Sequence, residues 1–497
     1  MSDRTAGLDQ PVSQSRLAMV NMRNNAKVSN VFHNGDSSRK RPQNEDYATI
    51  PKTRWPAFKP EQPLSRQSGA KPPRPFRPPA EIHRKSENRM DMSLWTINPA
   101  IRRRSRDLRD TLTASAHNRK TILNAPKNVT WQHGSESHTA VWESAACSSP
   151  PKTIITADDT TTADAAYWRA CAGTAMVYQG DFQNAKQLLQ AITRRVDRKS
   201  VKTAATMLDA FHQHRARQIG RANITNKILI ELHNGQCKLN RAPDLREAVE
   251  AALGQNPPAS LLLSLRETLG MIGANEWRKK GVYVEALKAN IHVNYGVYSP
   301  VRGEYLDLIT QSQFGRPQVA WDIGTGSGVI AAILIARGVQ QVIATDSSSR
   351  AVQCAAENIE RLNMKPNVNL IETSLFPEGK ADLIVCNPPW VPARANTPIE
   401  HAVYDPKSQM LKAFLSGVKE RLNDNGEAWL IMSNLAENIG LRNPDDLRSW
   451  ITQAGLMVRD KADTTPLHAR ATDQTDPLYE ARSNEVTSLY RLRSAES

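Results

Sequence analysis

The sequence lacks the cysteine spacing of a disulfide framework or a zinc site. Its five cysteines are scattered along 497 residues, and no pair has Cys-x-x-Cys spacing. An odd, dispersed set of thiols fits a reducing compartment. His212, His214 and His233 have no neighbours that complete a metal-ligand pattern, since such sites need three or four convergent ligands. We therefore predict no bound metal.

Long apolar runs are also missing. No uninterrupted stretch approaches the roughly 18 apolar residues that a membrane-spanning helix requires. The first residues of the chain lack the charged start and apolar core of a secretory signal. We expect a soluble protein of the cytoplasm, or of the nucleus if the source is eukaryotic, without a membrane partner.

Positive charge is abundant but unevenly distributed. Residues 1–150 hold 25 of the 65 basic residues, 13 of the 50 acidic residues and 14 of the 30 prolines. This composition predicts a disordered, basic, proline-rich tail over 1–150. Its arginine clusters at 39–41 and 102–104 are compatible with binding to nucleic acid or another acidic partner, or with an import signal. The alternative, which the composition favours, is a solvated flexible tail.

Residues 160–285 have a different pattern. Apolar positions recur at helical spacing through most of this region, with Pro257-Pro258 as an interruption. Asn234-Gly235 lies between two apolar runs and predicts a hairpin turn in a short two-stranded ribbon. We predict a mainly helical accessory domain over 160–285.

The centre of the chain lies between residues 319 and 390. Three short apolar runs end in polar groups: a glycine-rich loop, Asp346, and Asn387-Pro388-Pro389-Trp390. With the runs that follow, they predict seven strands in a mostly parallel, Rossmann-like α/β sheet. Ligands of such sheets bind at the carboxyl ends of the strands, where all three groups lie. The pattern predicts an active-site crevice.

The glycine-rich loop and Asp346 indicate a nucleoside ligand. Gly324 and Gly326 let the backbone approach a ligand closely, and Asp346 can accept hydrogen bonds from both ribose hydroxyls. The alternative for Asp346 is a helix cap. A glycine loop alone also fits a nicotinamide dehydrogenase. Asp322 at the start of the loop better suits a ligand with an amino group, and the Asn-Pro-Pro-Trp motif is not a dehydrogenase feature.

The Asn-Pro-Pro-Trp motif is the most specific signal. The side-chain oxygen of Asn387 and the carbonyl of Pro388 can accept both hydrogens of a planar –NH2 group, which localises the nitrogen lone pair for bond formation. Trp390 offers a flat surface for stacking a base or an amide. Cys386, one residue earlier, is interpreted as a buried strand thiol rather than a nucleophile.

With these motifs, residues 295–493 resemble a class I S-adenosylmethionine-dependent methyltransferase of the small-domain type. Relatives with Asn-Pro-Pro-aromatic motifs methylate adenine in nucleic acids or glutamine in release factors and ribosomal proteins. The resemblance implies S-adenosyl-L-methionine as cofactor and a methyl transfer to a planar amine or amide nitrogen of a macromolecule. It implies roles for nine residues: Asp322, Gly324, Thr325, Gly326, Gly328 and Asp346 in cofactor binding, and Asn387, Pro388 and Trp390 around the acceptor nitrogen.

The acceptor stays open at this point. Residues 401–406, His-Ala-Val-Tyr-Asp-Pro, are similar to a stretch of glutamine methyltransferases, whereas the basic tail favours nucleic acid. The chain departs from the family pattern in having Trp390 for Tyr or Phe and Ser374 where an Asp often contacts adenine. Ser374 supports one further alternative, a catalytically degenerate scaffold that binds nucleic acid or the ribosome.

Overall fold

The computed structural model describes residues 127–144, 148–200, 202–466 and 471–495. Up to residue 126, the predicted tail lies outside the described residues. Its last part is folded, because β1 (Lys127–His133) and β2 (Glu136–Trp142) pair as an antiparallel hairpin. Val129, Trp131 and Ala140 are buried. Alternation of buried and exposed side chains makes this segment a strand pair, so the predicted tail boundary at residue 150 is too late.

The region that follows adds five strands to this hairpin. They are β3 (Ile154–Ala157), β4 (Ala175–Tyr178), β5 (Ile228–His233), β6 (Gln236–Cys237) and β7 (Ser260–Ser264). The strand order is β1-β2-β7-β5-β4-β3, with β6 paired to β5. Strands β3, β4 and β5 are parallel, and β7 is antiparallel to β5.

The prediction of a mainly helical accessory domain is therefore incomplete, because it includes the helices but not the sheet. Five helices are present, but they pack on a sheet that the sequence pattern did not reveal. They are α1 (Ala163–Cys171), α2 (Phe182–Asp197), α3 (Met207–Thr225), α4 (Arg246–Leu253) and α5 (Leu265–Lys280).

Strands β4 and β7 explain the difference. All four residues of β4 and four of the five in β7 are buried, so neither strand has the polar alternation that identifies a strand in a sequence. Strand β7 falls inside the region that the sequence predicted to be mainly helical. The predicted Asn234-Gly235 turn is confirmed, since both residues have positive φ and join β5 to the antiparallel β6.

A small hairpin, β8 (Val282–Val284) with β9 (Ala289–Ile291), leads into a second seven-stranded sheet. Its strands are β10 (Val319–Ile323), β11 (Gln341–Asp346), β12 (Val368–Glu372), β13 (Ala381–Cys386), β14 (Leu422–Ser433), β15 (Leu456–Thr464) and β16 (Thr487–Ser494). Its helices are α6 (Glu304–Gln311), α7 (Val329–Ala336), α8 (Ser349–Arg361), α9 (Gln409–Val418), α10 (Leu435–Ile439), α11 (Asp446–Gln453) and α12 (Tyr479–Ser483). None of the described helices, in either region, has the length and apolar character required to cross a membrane.

The second sheet has the order β12-β11-β10-β13-β14-β16-β15. Strands β10 to β14 are parallel, and β16 is antiparallel to both of its neighbours. The predicted Rossmann-like, mostly parallel sheet of seven strands is confirmed. Apolar clusters cover both of its faces, one around Leu334 and Val385 and the other around Trp321 and Phe414.

Helix α3 of the first region contacts the second. Ala210 and Phe211 share an apolar cluster with Val391, Leu435 and Ile439, which lie close in sequence to the Asn-Pro-Pro-Trp motif or after β14. The accessory region thus packs beside the carboxyl end of the second sheet.

Candidate active site

The predicted site residues start from three neighbouring strands. In the central strand, Ile323 is aligned with Thr345 of β11 on one side and with Cys386 of β13 on the other. The next residues are Gly324, Asp346 and Asn387, so the glycine loop, the acidic residue and the Asn-Pro-Pro-Trp motif leave the same edge of the sheet. The structure brings together the three groups that the sequence predicted to meet.

The glycine-rich loop depends on left-handed backbone conformations. Gly324, Gly326 and Gly328 have φ values of +76°, +55° and +81°. A Cβ at Gly328 would lie 3.1 Å from the Cα of Ala355, so this glycine permits close packing on α8. A Cβ at Gly326 would meet nothing within 4 Å. The loop therefore exposes an open backbone cradle at Gly326, which fits a bound nucleoside cofactor.

The loop is tied to β11. The amide N–H groups of Gly324 and Thr325 both donate to the carbonyl oxygen of Thr345 at 2.8 Å. The N–H of Gly326 donates to Oδ2 of Asp346 at 3.0 Å. These bonds fix the predicted cofactor-binding loop against the predicted ribose-binding carboxylate before any ligand is bound.

Asp346 keeps acceptor capacity for a ligand. Its Oδ1 accepts from the N–H of Ser348 at 2.9 Å, and its Oδ2 accepts from Gly326. A carboxylate has about four lone-pair sites, so further donors such as ribose hydroxyls can be accommodated. Burial raises the pKa of Asp346, against the opposing effect of the backbone hydrogen bonds.

Asp322 is completely buried beneath the loop. Its Oδ2 accepts from Oγ1 of Thr325 at 2.6 Å and from the N–H of Ala331 in the first turn of α7 at 3.1 Å. Its Oδ1 is a buried atom without a hydrogen-bond partner. Burial raises the pKa of Asp322 to about 7. A cationic donor such as an amino group is the partner that an unsatisfied buried carboxylate oxygen favours.

In the Asn-Pro-Pro-Trp motif, the indole Nε1–H of Trp390 donates to Oδ1 of Asn387 at 3.0 Å and to the carbonyl of Ile431 at 3.2 Å. The indole also packs against apolar clusters on both faces of the sheet and against the cluster shared with α3. The sequence predicted a stacking surface at Trp390. The structure adds a second role, because the indole N–H of Trp390 orients the Asn387 side chain.

Residues 391–405, which follow the motif, form a closed loop. The N–H of Val391 donates to the carbonyl of Val403 at 3.1 Å, and the N–H of Asp405 donates to the carbonyl of Val391 at 2.9 Å. The Asp405 carboxylate in turn accepts from the N–H groups of Met410 and Leu411 at the start of α9. The similarity at 401–406 thus falls on a segment that is anchored to the motif.

A buried charged group lies at the same edge, beside the end of β14. Arg302 contacts Glu485 at 3.3 Å, and Oγ of Ser433 donates to Glu485 at 2.8 Å. Glu304 is buried nearby in sequence with Oε1 unpartnered, and burial raises its pKa. Sequence patterns gave no indication of Glu485 and Ser433, which have no recognisable motif around them.

Two other residues have simple positions. Cys386 is fully buried in β13, and burial raises the pKa of its thiol well above the ordinary value, as a structural thiol requires. Ser374 lies exposed just after β12. Among the described residues, no group of histidine, cysteine and acidic side chains could hold a metal ion.

Comparison with known proteins agrees with this geometry. Residues 305–440 match the family model described as "Methyltransferase small domain". Together with the strand order, this match makes that part of the chain similar to a methyltransferase small domain. The cofactor of this domain is S-adenosyl-L-methionine, and the open loop at Gly326, the acceptor sites of Asp346 and the unpartnered oxygen of Asp322 fit it.

Curated relatives of the chain include glutamine methyltransferases and ribosomal protein methyltransferases. A release factor glutamine methyltransferase of Rhodopirellula baltica is 30% identical over 154 residues, which are 27% of this chain and 52% of the relative. A ribosomal protein uL3 glutamine methyltransferase of Bordetella pertussis is 41% identical over 76 residues, 14% of this chain and 26% of the relative. The chain therefore spans about half the length of the first relative and about a quarter of the second.

Solved structures are also similar to part of the chain. A ribosomal protein L11 methylase from Lactobacillus delbrueckii subsp. bulgaricus has a TM-score of 0.27 and 19% identity, with 38% of this chain and 78% of that chain covered. The accessory region before residue 305 lies outside the family match.

Proposed function

We propose that this protein transfers a methyl group from S-adenosyl-L-methionine to the side-chain amide nitrogen of a glutamine in a protein of the translation machinery. The observation that carries the proposal is the position of Asn387, one residue after the aligned pair Ile323 and Cys386 and therefore beside the glycine loop. The relatives named as glutamine methyltransferases favour an amide over a nucleic-acid base.

Asn387 would hold the acceptor amide. A carbonyl oxygen has two lone pairs, so Oδ1 of Asn387 can accept one hydrogen of the amide while it also accepts from Trp390. The carbonyl of Pro388 would accept the second hydrogen. Fixing both hydrogens draws the nitrogen lone pair out of conjugation with the amide carbonyl and directs it at the donor, which is stabilisation by preorganised dipoles.

The protein's remaining contribution is orientation. Bound S-adenosyl-L-methionine supplies an electrophilic methyl group on a positively charged sulfur. Asp346 would bind the ribose, and Asp322 would offer a negative charge below the loop towards the amino group of the cofactor. Holding two reactants in line can account for a large part of the rate, so no strong general base is assigned. The methyl–sulfur bond would break as the methyl–nitrogen bond forms, and the amide nitrogen would then release its proton to solvent.

The test is a methyl-transfer assay on a defined panel. Purified protein is incubated with methyl-labelled S-adenosyl-L-methionine and unmethylated release factor, ribosomal protein uL3, ribosomal protein L11 or total RNA. We expect label in a protein, located by mass spectrometry on a glutamine amide, and its loss in Asn387→Ala with cofactor binding retained.

Two outcomes would overturn the proposal. Label confined to RNA would make a nucleic-acid base the acceptor. Cofactor binding by calorimetry without transfer to any member of the panel would favour the scaffold that has lost its activity.

A further inference from the structure

Arg215 of the accessory region binds the loop of residues 391–405. Arg215 lies in α3, one turn after Phe211, which packs in the apolar cluster shared with Val391. Helix α3 is separated from the loop by about 180 residues in sequence, so this contact exists only in the folded chain. The side chain of Arg215 is 14% exposed and is therefore largely withdrawn from water.

Arg215 makes three different contacts with this loop. Its Nη1 donates to Oε2 of Glu400 at 3.1 Å, and its Nη2 donates to the carbonyl of Arg394 at 2.6 Å. Its guanidinium carbon lies 4.1 Å above the centre of the Tyr404 ring. The guanidinium group thus contacts a backbone carbonyl near the start of the loop, and a carboxylate and an aromatic ring near its end. Lysine, with a single ammonium, cannot reproduce this combination.

Glu400 links Arg215 to several backbone groups of the loop. Its Oε2 also accepts from the N–H of Asn396 at 2.8 Å, and its backbone carbonyl accepts from the N–H groups of Val403 and Tyr404. The Glu400 side chain is 16% exposed. Removal of Arg215 would leave a largely buried carboxylate without its counter-charge, which costs more than the loss of a surface ion pair.

We propose that Arg215 is a positioning residue for the acceptor: it fixes the loop that follows the Asn-Pro-Pro-Trp motif and so makes the accessory region part of the acceptor site. The inference rests on the proposed function, since it assumes that the acceptor approaches Asn387. The loop begins directly after Trp390, whose indole orients Asn387. The proposed cofactor-binding groups lie on β10, in the glycine loop after it and on β11, whereas the described contacts of Arg215 are with residues 394–404.

Because the described contacts of Arg215 are with the loop and not with the cofactor-binding groups, its removal should weaken acceptor binding but not cofactor binding. In the full-length Arg215→Ala variant, we expect the KM for the acceptor protein to rise roughly tenfold, with kcat changed much less, because a loosened loop weakens binding of the acceptor equally in the ground state and the transition state. The affinity for S-adenosyl-L-methionine, measured by calorimetry, should stay within about twofold. Arg215→Lys should not restore the KM, because it cannot make the three contacts.

The matched control is Arg217→Ala in the same helix. Arg217 donates to the carbonyl of Asp197, so its described hydrogen bond lies within the accessory region and away from residues 391–405. It should leave the acceptor KM unchanged. Glu400→Gln keeps an acceptor for the N–H of Asn396 but removes the charge, so its effect should not add to that of Arg215→Ala.

Hydrogen exchange tests the positioning step without any acceptor. In Arg215→Ala, amide exchange should accelerate within residues 391–405 and stay unchanged in the glycine loop. Unchanged exchange in the loop would overturn the inference whatever the acceptor is, as would an equal loss of cofactor affinity and acceptor binding. A wild-type protein that binds cofactor but modifies no protein amide would overturn the proposed function instead, and the exchange comparison would still decide the role of Arg215.

Discussion

The indole Nε1–H of Trp390 donates to Oδ1 of Asn387 at 3.0 Å, so the aromatic residue of the motif helps orient the residue that would receive the acceptor nitrogen. Tyrosine or phenylalanine, the aromatic residues usual at this position in the related enzymes, cannot donate from an indole nitrogen. The tryptophan therefore brings a polar contact that the ring alone would not provide.

Trp390→Phe should separate the contribution of the aromatic ring from that of the indole N–H donor. The variant retains an aromatic ring but loses the donor to Asn387 and to the carbonyl of Ile431. We expect kcat to fall about tenfold and stability to fall by more than the roughly 1 kcal/mol of one hydrogen bond, because the smaller ring also leaves a cavity among the apolar clusters. Cofactor affinity by calorimetry should not change. A kcat equal to that of the wild type would show that Asn387 needs no such support.

Asp322 should make stability depend on pH. Burial raises its pKa to about 7, from an ordinary value of 3.8, so the folded protein binds its proton more tightly than the unfolded chain. Its contribution to stability is full below about pH 4 and is lost as the pH rises through about 7, at roughly 1.4 kcal/mol per unit of pKa shift.

Asp322→Asn removes this titration. Urea unfolding should show the variant gaining stability relative to wild type between pH 5 and pH 8, although it should bind S-adenosyl-L-methionine more weakly. Asp424→Asn, at an exposed position, is the matched control and should show neither effect. A stability difference between the Asp322 variant and the wild type that stays constant with pH would contradict the raised pKa.

Two glycines of the loop should respond differently to alanine. A Cβ at Gly328 would lie 3.1 Å from the backbone of Ala355, so Gly328→Ala should lower the free energy of unfolding by roughly 2 kcal/mol or more. A Cβ at Gly326 would enter open space, so Gly326→Ala should cost only about 1 kcal/mol of backbone strain.

For the affinity of the cofactor we expect the opposite order, with Gly326→Ala more harmful than Gly328→Ala. Because the space at Gly326 is the cradle proposed for the ligand, Gly326→Ala should weaken binding of S-adenosyl-L-methionine well beyond its effect on folding. Chemical denaturation and calorimetry on both variants give the comparison. Equal cofactor affinity in wild type and Gly326→Ala would place the cofactor elsewhere.

Sequence patterns located the centre of this fold because three local signals coincide. The glycine loop, Asp346 and Asn387 each end a short apolar run, and parallel pairing of the strands brings them to one edge. These signals need no knowledge of distant contacts.

The remainder depends on contacts that the sequence does not encode locally. Strands β4 and β7 are buried throughout, so their apolar runs do not distinguish strand from helix. The bond from Trp390 to Asn387 depends on how the ring turns within the packed core, and the contact of Arg215 with Glu400 joins residues 185 positions apart. Such relationships appear only once the chain is folded.

The most direct test of the proposed cofactor site is a calorimetric titration of S-adenosyl-L-methionine into the full-length protein and into Asp346→Ala. The control is Asp424→Ala, at an exposed position. We expect binding by the wild type and the control, and its loss in Asp346→Ala, because the carboxylate that accepts from the Gly326 amide is assigned to the ribose. Wild-type protein that fails to bind, or Asp346→Ala that binds equally well, would contradict the assignment of this crevice as the cofactor site.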